Sequence, residues 1–301
     1  MSSCTNPLLA VRLYKDDLGK STIKILSRSR PANLDDLYEK YGQDNLIELP
    51  CGHCLACIQN KKKEWAVRCL LEASEHKENC FVTLTYNSKN YDDKFHKEHL
   101  RKFFKRLYSK GFKFRYYGCG ERGDEEGRCH YHLIMFGFFP SDAKYYSKTK
   151  SGSSQFTSQI LDEAWQLGFV TLSEFEAAEA SYVAGYAYKK IGLQNDSFHF
   201  QSTKPGIGQG YVLRNVQDIY DQDKLVVNFG SHSVSVPRYF DKIAIERFNM
   251  DLDDLKKKRL DRASINSSKS MRELGFEYRP EFLDYKNEVN TKNIKLKRRM
   301  F

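Results

Sequence analysis

The hydrophobic pattern first becomes regular at Lys61, where Trp65, Ala66, Cys69, Leu70 and Ala73 make an apolar stripe at i, i+1, i+4, i+5 and i+8. Phe81-Val82-Thr83-Leu84-Thr85-Tyr86 is β-branched and aromatic, which predicts a strand. The helical period returns at 97–110: Leu100, Phe103, Phe104 and Leu107 form one face, Arg101, Lys102, Lys105 and Arg106 cover the rest, and Gly111 is a natural stop. Two strands are predicted around 113–118 and 130–139, joined by the polar loop 121–127. Ile160, Leu161, Ala164 and Trp165 mark a short helix ended by Gly168, followed by a strand at 169–172 and a helix at 177–190 closed by Gly192. Residues 1–60 read as irregular. Beyond 200 the pattern weakens to a turn at Lys204-Pro205-Gly206-Ile207-Gly208, a charged helix near 240–262, and a basic, mobile tail containing Lys292, Lys295, Lys297, Arg298 and Arg299.

Strands joined by a hairpin beside segregated helices predict an α+β layer on an antiparallel sheet. The expected division is an irregular cysteine-containing region at 1–60, a main domain at 61–240 and a basic helical extension at 241–301. The formal charge of +10, from 49 basic and 39 acidic residues, favours a polyanionic partner. Nineteen Tyr and 20 Phe supply faces that can stack on unpaired bases. The longest strongly apolar run, 133–139, is too short to span a bilayer, and the charged amino terminus has no secretory pattern. The expectation is a cytoplasmic protein without a membrane partner.

His130-Tyr131-His132 opens the second hairpin strand. Alternation puts His130 and His132 on one face, where two neutral imidazoles can share a divalent cation. The segment 182–190 carries the second signal: at about 100° per residue, Tyr182, Tyr186 and Lys189 share one helical face. A phenol is a poor nucleophile at its ordinary pKa of about 10 and needs activation or a polarised target. A cation on the two histidines can polarise a phosphate, and Lys189 can offset negative charge nearby. Such a set would yield a phosphotyrosine and a free hydroxyl.

These residues resemble the HUH endonuclease superfamily, and more closely the replication initiators of gokushovirus-type microviruses, which are small single-stranded DNA phages. The likeness rests on Cys51-Gly52-His53-Cys54-Leu55-Ala56-Cys57, Glu64-Trp65-Ala66-Val67-Arg68, Phe81 to Tyr86, Gly120-Glu121, His130 to Gly137, Tyr182 to Lys190, Lys204 to Gly208 and Pro237-Arg238-Tyr239. It implies the ferredoxin-like antiparallel sheet of HUH endonucleases, flanked by helices, with the histidines on a central strand and the tyrosines on a neighbouring helix. It implies a nicking and strand-transferring enzyme of rolling-circle replication that uses Mg²⁺ or Mn²⁺. Such an enzyme acts on single-stranded origin DNA in the bacterial cytoplasm, keeps the 5′ end on tyrosine and leaves a 3′ hydroxyl to a host helicase and polymerase. Glu121 is the candidate third metal ligand. Where related two-tyrosine initiators carry a lysine between the tyrosines, this chain has Gly185; the intact Tyr186-x-x-Lys189 spacing ranks Tyr186 above Tyr182 as first nucleophile.

Cys51-x-x-Cys54-x-x-Cys57 is a separate feature. Three thiolates at this spacing can converge on a structural Zn²⁺, with Cys4 or His53 as the fourth ligand; an iron–sulfur cluster also uses grouped cysteines. Arg101, Lys102, Lys105 and Arg106, the run 61–63 and the tail are candidates for phosphate contacts. Two other readings stand beside the phage initiator: a plasmid or transposon nuclease of the same superfamily, and a non-catalytic zinc-stabilised nucleic-acid-binding protein.

Overall fold

The computed structural model describes residues 4, 6–15, 21–27, 34–123, 127–149, 152–186, 198–220, 225–229, 232–277 and, from 281 to 292, all but 283, 287, 290 and 291. The chain divides into one unit of residues 1–61, 222–225 and 244–301 and a second of 62–221 and 226–243. In the first, strands β1 (Leu8–Lys15), β2 (Ser21–Ser27) and β3 (Leu46–Leu49) pair antiparallel in the order β2-β1-β3, with helix α1 (Leu34–Tyr41) before β3. The expectation of an irregular amino-terminal region is therefore corrected. Leu9, Ala10 and Val11 are buried consecutively, so β1 lacks the alternation that marks a strand with one wet face. Helix α2 (Leu55–Ala73) likewise begins earlier than its apolar stripe, directly after Cys54.

Strand β4 (Asn79–Tyr86), helix α3 (Lys97–Ser109), strands β5 (Arg115–Arg122) and β6 (Cys129–Phe136), the hairpin β7 (Lys144–Lys148) and β8 (Ser154–Thr157), helix α4 (Gln159–Trp165), strand β9 (Gly168–Glu174), helix α5 (Ala177–Tyr186) and strand β10 (Phe198–Gln201) build the second unit. Helix α6 (Gln209–Tyr220) and the ribbon β11 (Val226–Phe229) and β12 (His232–Ser235) follow. Helices α7 (Arg238–Phe248) and α8 (Leu252–Glu273) replace the single helix expected near 240–262. Asn249 turns the chain with φ of 54°, and the Asp251 carboxylate then accepts the Asp254 N–H at 2.6 Å to start α8.

The main sheet has seven strands in the order β10-β5-β6-β4-β9-β8-β7, and every described pairing is antiparallel. Its central part runs β4-α3-β5-β6-α4-β9, the split β-α-β-β-α-β arrangement, with β7 and β8 inserted before α4. The fold class is thus α+β, as expected.

Two different cores cover the two faces. On one, Val82, Leu84, Tyr131, Leu133, Met135, Val170 and Leu172 meet Leu100, Phe103 and Leu107 of α3 and Leu161, Ala164 and Trp165 of α4. On the other, Tyr117, Cys119, Ile134 and Phe136 meet Ala66, Cys69 and Ala73 of α2 and Ala180, Val183 and Ala184 of α5. β6 is almost wholly buried because both its faces are packed, which accounts for its long apolar run.

Trp165 anchors the first core: it is fully buried and its indole N–H donates to the Thr85 carbonyl at 3.0 Å. Trp165→Ala is expected to cost about 3–5 kcal/mol, the range for emptying an aromatic core site. Urea unfolding followed by the fluorescence of the remaining Trp65 measures it; a loss below about 1 kcal/mol would contradict this packing.

Candidate functional site

The register of three strands assembles the first cluster. Glu121 of β5 lies opposite His130 of β6, and Cys119 lies opposite His132. Directly opposed residues of an antiparallel pair share a face, so Glu121, His130 and His132 all project on the side covered by α2 and α5. Glu121 and His132 are buried, at 5% and 6% exposure, although both are polar. One donor atom from each of Glu121, His130 and His132 falls within 4.8 Å of the others. The His132 Nε2 to Glu121 Oε2 separation is 3.5 Å, and the two imidazoles stand nearly perpendicular at 4.7 Å between centroids. Two imidazoles and a carboxylate form a borderline-to-hard donor set suited to a divalent first-row or magnesium-like ion.

The surroundings orient both rings. His130 Nδ1 lies 3.1 Å from the Arg128 carbonyl and can donate to it, which directs Nε2 toward the cluster. His132 Nδ1 lies 3.1 Å from Thr83 Oγ1, on the paired position of β4. Phe81 stacks on the His132 ring at 5.4 Å with 13° between planes. Thr83 and Phe81 were read only as strand formers; their functional signal lies in register, which no local pattern carries. Glu121, read as lying where a strand gives way to a loop, belongs to β5.

Helix α5 seats Ala180, Val183 and Ala184 on β5 and β6, so the helix that carries Tyr182 and Tyr186 covers the strands that carry Glu121, His130 and His132. The side chains of Tyr182 and Tyr186 lie outside the described residues, as does Lys189. Gly185 stands between the two tyrosines in sequence. A Cβ there would lie 3.0 Å from Lys62 Nζ, so the bare glycine backbone lets the α2 lysine rest its ammonium on α5.

Motifs far apart in sequence meet behind this face. The Arg68 guanidinium is sandwiched between the rings of Trp65 and Tyr239, 3.9 Å from each centroid, and its Nε donates to the Ile207 carbonyl at 3.0 Å. Burial lowers the Arg68 pKa, and the neighbouring Tyr239 opposes that fall. Trp65 in turn stacks on Tyr117 at 4.7 Å. Glu72, 4% exposed, accepts from Arg115 and from the Gly208 N–H at 2.6 Å, while Arg115 also donates to the Pro205 carbonyl at 2.6 Å. The Tyr239 hydroxyl donates to Gln209 Oε1 at 3.1 Å and fills the space a side chain on Gly206 would need. The turn at 204–208 is therefore a buried brace held by α2, β5 and α7.

Cys4, Cys51, Cys54 and Cys57 form a second cluster, with donor sulfurs within 4.8 Å of one another. Cys54 and Cys4 Sγ are 3.8 Å apart, and Cys51 and Cys57 Sγ 3.9 Å. Cys4, among the scattered cysteines in sequence, completes the four. The backbone N–H of Cys51 points at Cys4 Sγ at 3.3 Å, and those of Cys54 and His53 at Cys51 Sγ at 3.3 and 3.5 Å, a pattern that favours thiolates. Cys57 sits in the first turn of α2, where the helix dipole also favours negative charge. Burial nevertheless raises the Cys57 and Cys4 thiols above their ordinary range, so a cation is what would hold all four ionised.

Arg101, Lys102, Lys105 and Arg106 lie on α3, across the sheet from Glu121, His130 and His132. Arg101 pairs with Glu98 at 2.8 Å, and Arg106 donates to the Ala164 carbonyl at 2.7 Å to tie α3 to α4. Among the described residues, no helix is long and apolar enough to cross a membrane.

Residues 79–191 match the family model for the ORF2-type replication-associated proteins. The chain is 31% identical over 282 residues to replication-associated protein ORF2 of Spiroplasma virus 4, covering 85% of each chain. It is 31% identical to replication-associated protein ORF4 of Chlamydia phage 1, over 64% of this chain and 52% of that one. Replication-associated protein VP4 of Bdellovibrio phage phiMH2K is also 31% identical, over 64% of this chain and 65% of its own. No solved structure matches.

Thr83→Val keeps the side-chain volume and removes the hydroxyl beside His132 Nδ1. It is expected to weaken Mn²⁺ binding about tenfold, the lower end for loss of a ligand-orienting partner, as read by electron paramagnetic resonance titration. Unchanged affinity would remove Thr83 from the site.

Proposed function

The chain belongs to the replication-associated protein family of the microviruses, and from that footing we propose that it initiates rolling-circle replication as a site-specific DNA nickase. The observation that carries this reading is one sheet face holding Glu121, His130 and His132 beneath the helix on which Tyr182 and Tyr186 reside. Glu121, His130 and His132 would hold Mg²⁺ or Mn²⁺; bound there, the ion supplies Lewis-acid polarisation of the scissile phosphate. A tyrosine oxygen attacks phosphorus, the bond to the 3′ oxygen breaks, and that oxygen takes a proton to become the primer hydroxyl. The DNA 5′ end stays on the tyrosine as a phosphodiester. Tyr186 is the first nucleophile and Tyr182 the second, which permits a later joining step. Lys189, with Lys62 from α2, provides positive charge near the attack.

Cys4, Cys51, Cys54 and Cys57 hold a structural Zn²⁺ that ties the amino terminus to the start of α2. The exposed Arg101, Lys102 and Lys105 contact phosphates away from the nicking site. The substrate is single-stranded phage-origin DNA in the host cytoplasm, and strand separation and extension fall to a host helicase and polymerase.

The first test is covalent-adduct formation on single-stranded phage-origin DNA with Mn²⁺, read by denaturing gel. Wild type should give an adduct, while His132→Ala and Tyr186→Phe should lower its rate by at least roughly 100-fold, within the range for loss of metal or nucleophile chemistry. Tight binding by wild type without an adduct on any origin substrate would make the chain a binding protein. For the cysteine cluster, titration with a mercurial reagent should release one Zn²⁺ per chain, and Cys54→Ser should abolish it. Release should also follow acidification, because protons compete for the thiolates; a metal-free wild type that remains folded would remove the zinc.

A further inference from the structure

The metal-ligand row of the sheet does not stop at His130. Thr85 of β4 pairs with His130 on one side and with Phe169 of β9 on the other. Glu121, His130, Thr85 and Phe169 therefore form one cross-strand row on one face. Burial agrees: Val170 and Leu172 are packed on the α3 and α4 side, so Phe169 faces the other way. It is 46% exposed, an apolar ring left open on the face that carries the ligand cluster. Tyr146 of the β7–β8 hairpin stands beside it, 56% exposed and edge-to-face at 5.7 Å.

We infer that Phe169 and Tyr146 form a stacking platform for unpaired bases of the single strand whose phosphate is placed at Glu121, His130 and His132. The inference rests on the nicking reading for what lies at the other end of the row. Two strand spacings, roughly 10 Å, separate Phe169 from His130. That corresponds to about three nucleotides at a stacked rise of roughly 3.4 Å, and fewer if the strand is extended. The charge suits the partner. Lys144, exposed, pairs with Thr157, whose neighbour Phe156 lies opposite Leu172 on the other face, so alternation places Lys144 on the platform side. Aromatic rings flanked by ammonium groups at the edge of a sheet bind single strands with little regard to sequence, because every base has a π face. Tyr145 supplies an internal control: it pairs with Phe156 and so belongs to the opposite face, yet it is 61% exposed.

The test is fluorescence anisotropy of the full chain with a labelled oligothymidylate. Phe169→Ala and Tyr146→Ala should each bind roughly tenfold more weakly, Phe169→Trp should retain affinity, and Tyr145→Ala should match wild type. Circular dichroism melting confirms that each variant is folded. Folded Phe169→Ala binding as tightly as wild type, or Tyr145→Ala losing as much as Tyr146→Ala, would overturn the platform. The adduct assay separates this outcome from failure of the nicking reading. Wild type that nicks while the platform variants bind and nick normally sinks the platform alone. Platform variants that lose binding while wild type forms no adduct sink the nickase and leave the platform standing.

Discussion

Register between β5, β6, β4 and β9 is the constraint on which the site depends. Side-chain direction in a strand repeats every two residues, so slipping β6 by one position would send His130 and His132 into the α3 and α4 core. It would bring Tyr131 and Leu133 to the other face in their place. The two cores prevent this. Tyr131, Leu133 and Met135 are fully buried on one side, and Ile134 and Phe136 on the other. Bulk apolar packing, which is non-directional, thus fixes the position of three polar groups that must meet to within a few ångströms.

A polar brace plays a comparable part for the helices. Glu72 is buried, and its carboxylate is matched by Arg115 and the Gly208 amide, so charge desolvation is offset by directed hydrogen bonds. Removing one partner would strand the other in a poorly hydrated place. Arg68, held between two rings, joins α2 to the 204–208 turn and to α7 in the same manner. These contacts fix α2, from which Lys62 reaches Gly185 on α5. The motifs at 64–68, 204–208 and 237–239 are therefore the supports of the site.

Legibility followed how local each signal was. Helix α3 was plain because its four buried residues, Leu100, Phe103, Phe104 and Leu107, fall on one face of an amphipathic repeat. His130 and His132 were legible as a pair because alternation alone places them together. Glu121 could be linked to them only through the family likeness, since its partner strand is set by pairing, and Thr83 and Phe169 gave no signal of their own. The sheet at the amino terminus was missed because β1 buries three residues in succession, and the β7–β8 hairpin because its Lys-Tyr-Tyr-Ser-Lys sequence reads as polar loop. Cys4 looked isolated because 46 residues separate it from Cys51.

The distribution of charge carries a further point. A net charge of +10 suggests a nucleic-acid partner but says nothing of where the strand runs, and the most obvious basic helix, α3, lies on the face away from the ligand cluster. Near the cluster the basic groups are few, and aromatic surface takes their place. That division has a physical basis. Phosphate attraction acts over about 10 Å at ordinary ionic strength and tolerates loose geometry, so dispersed lysines and arginines can gather the strand from any side. Holding one phosphate at one ion requires a shorter-range contact, and base stacking on a fixed ring supplies it. A face with three metal-competent donors and an open aromatic edge in the same row is built for positioning, whereas the opposite face is built for capture.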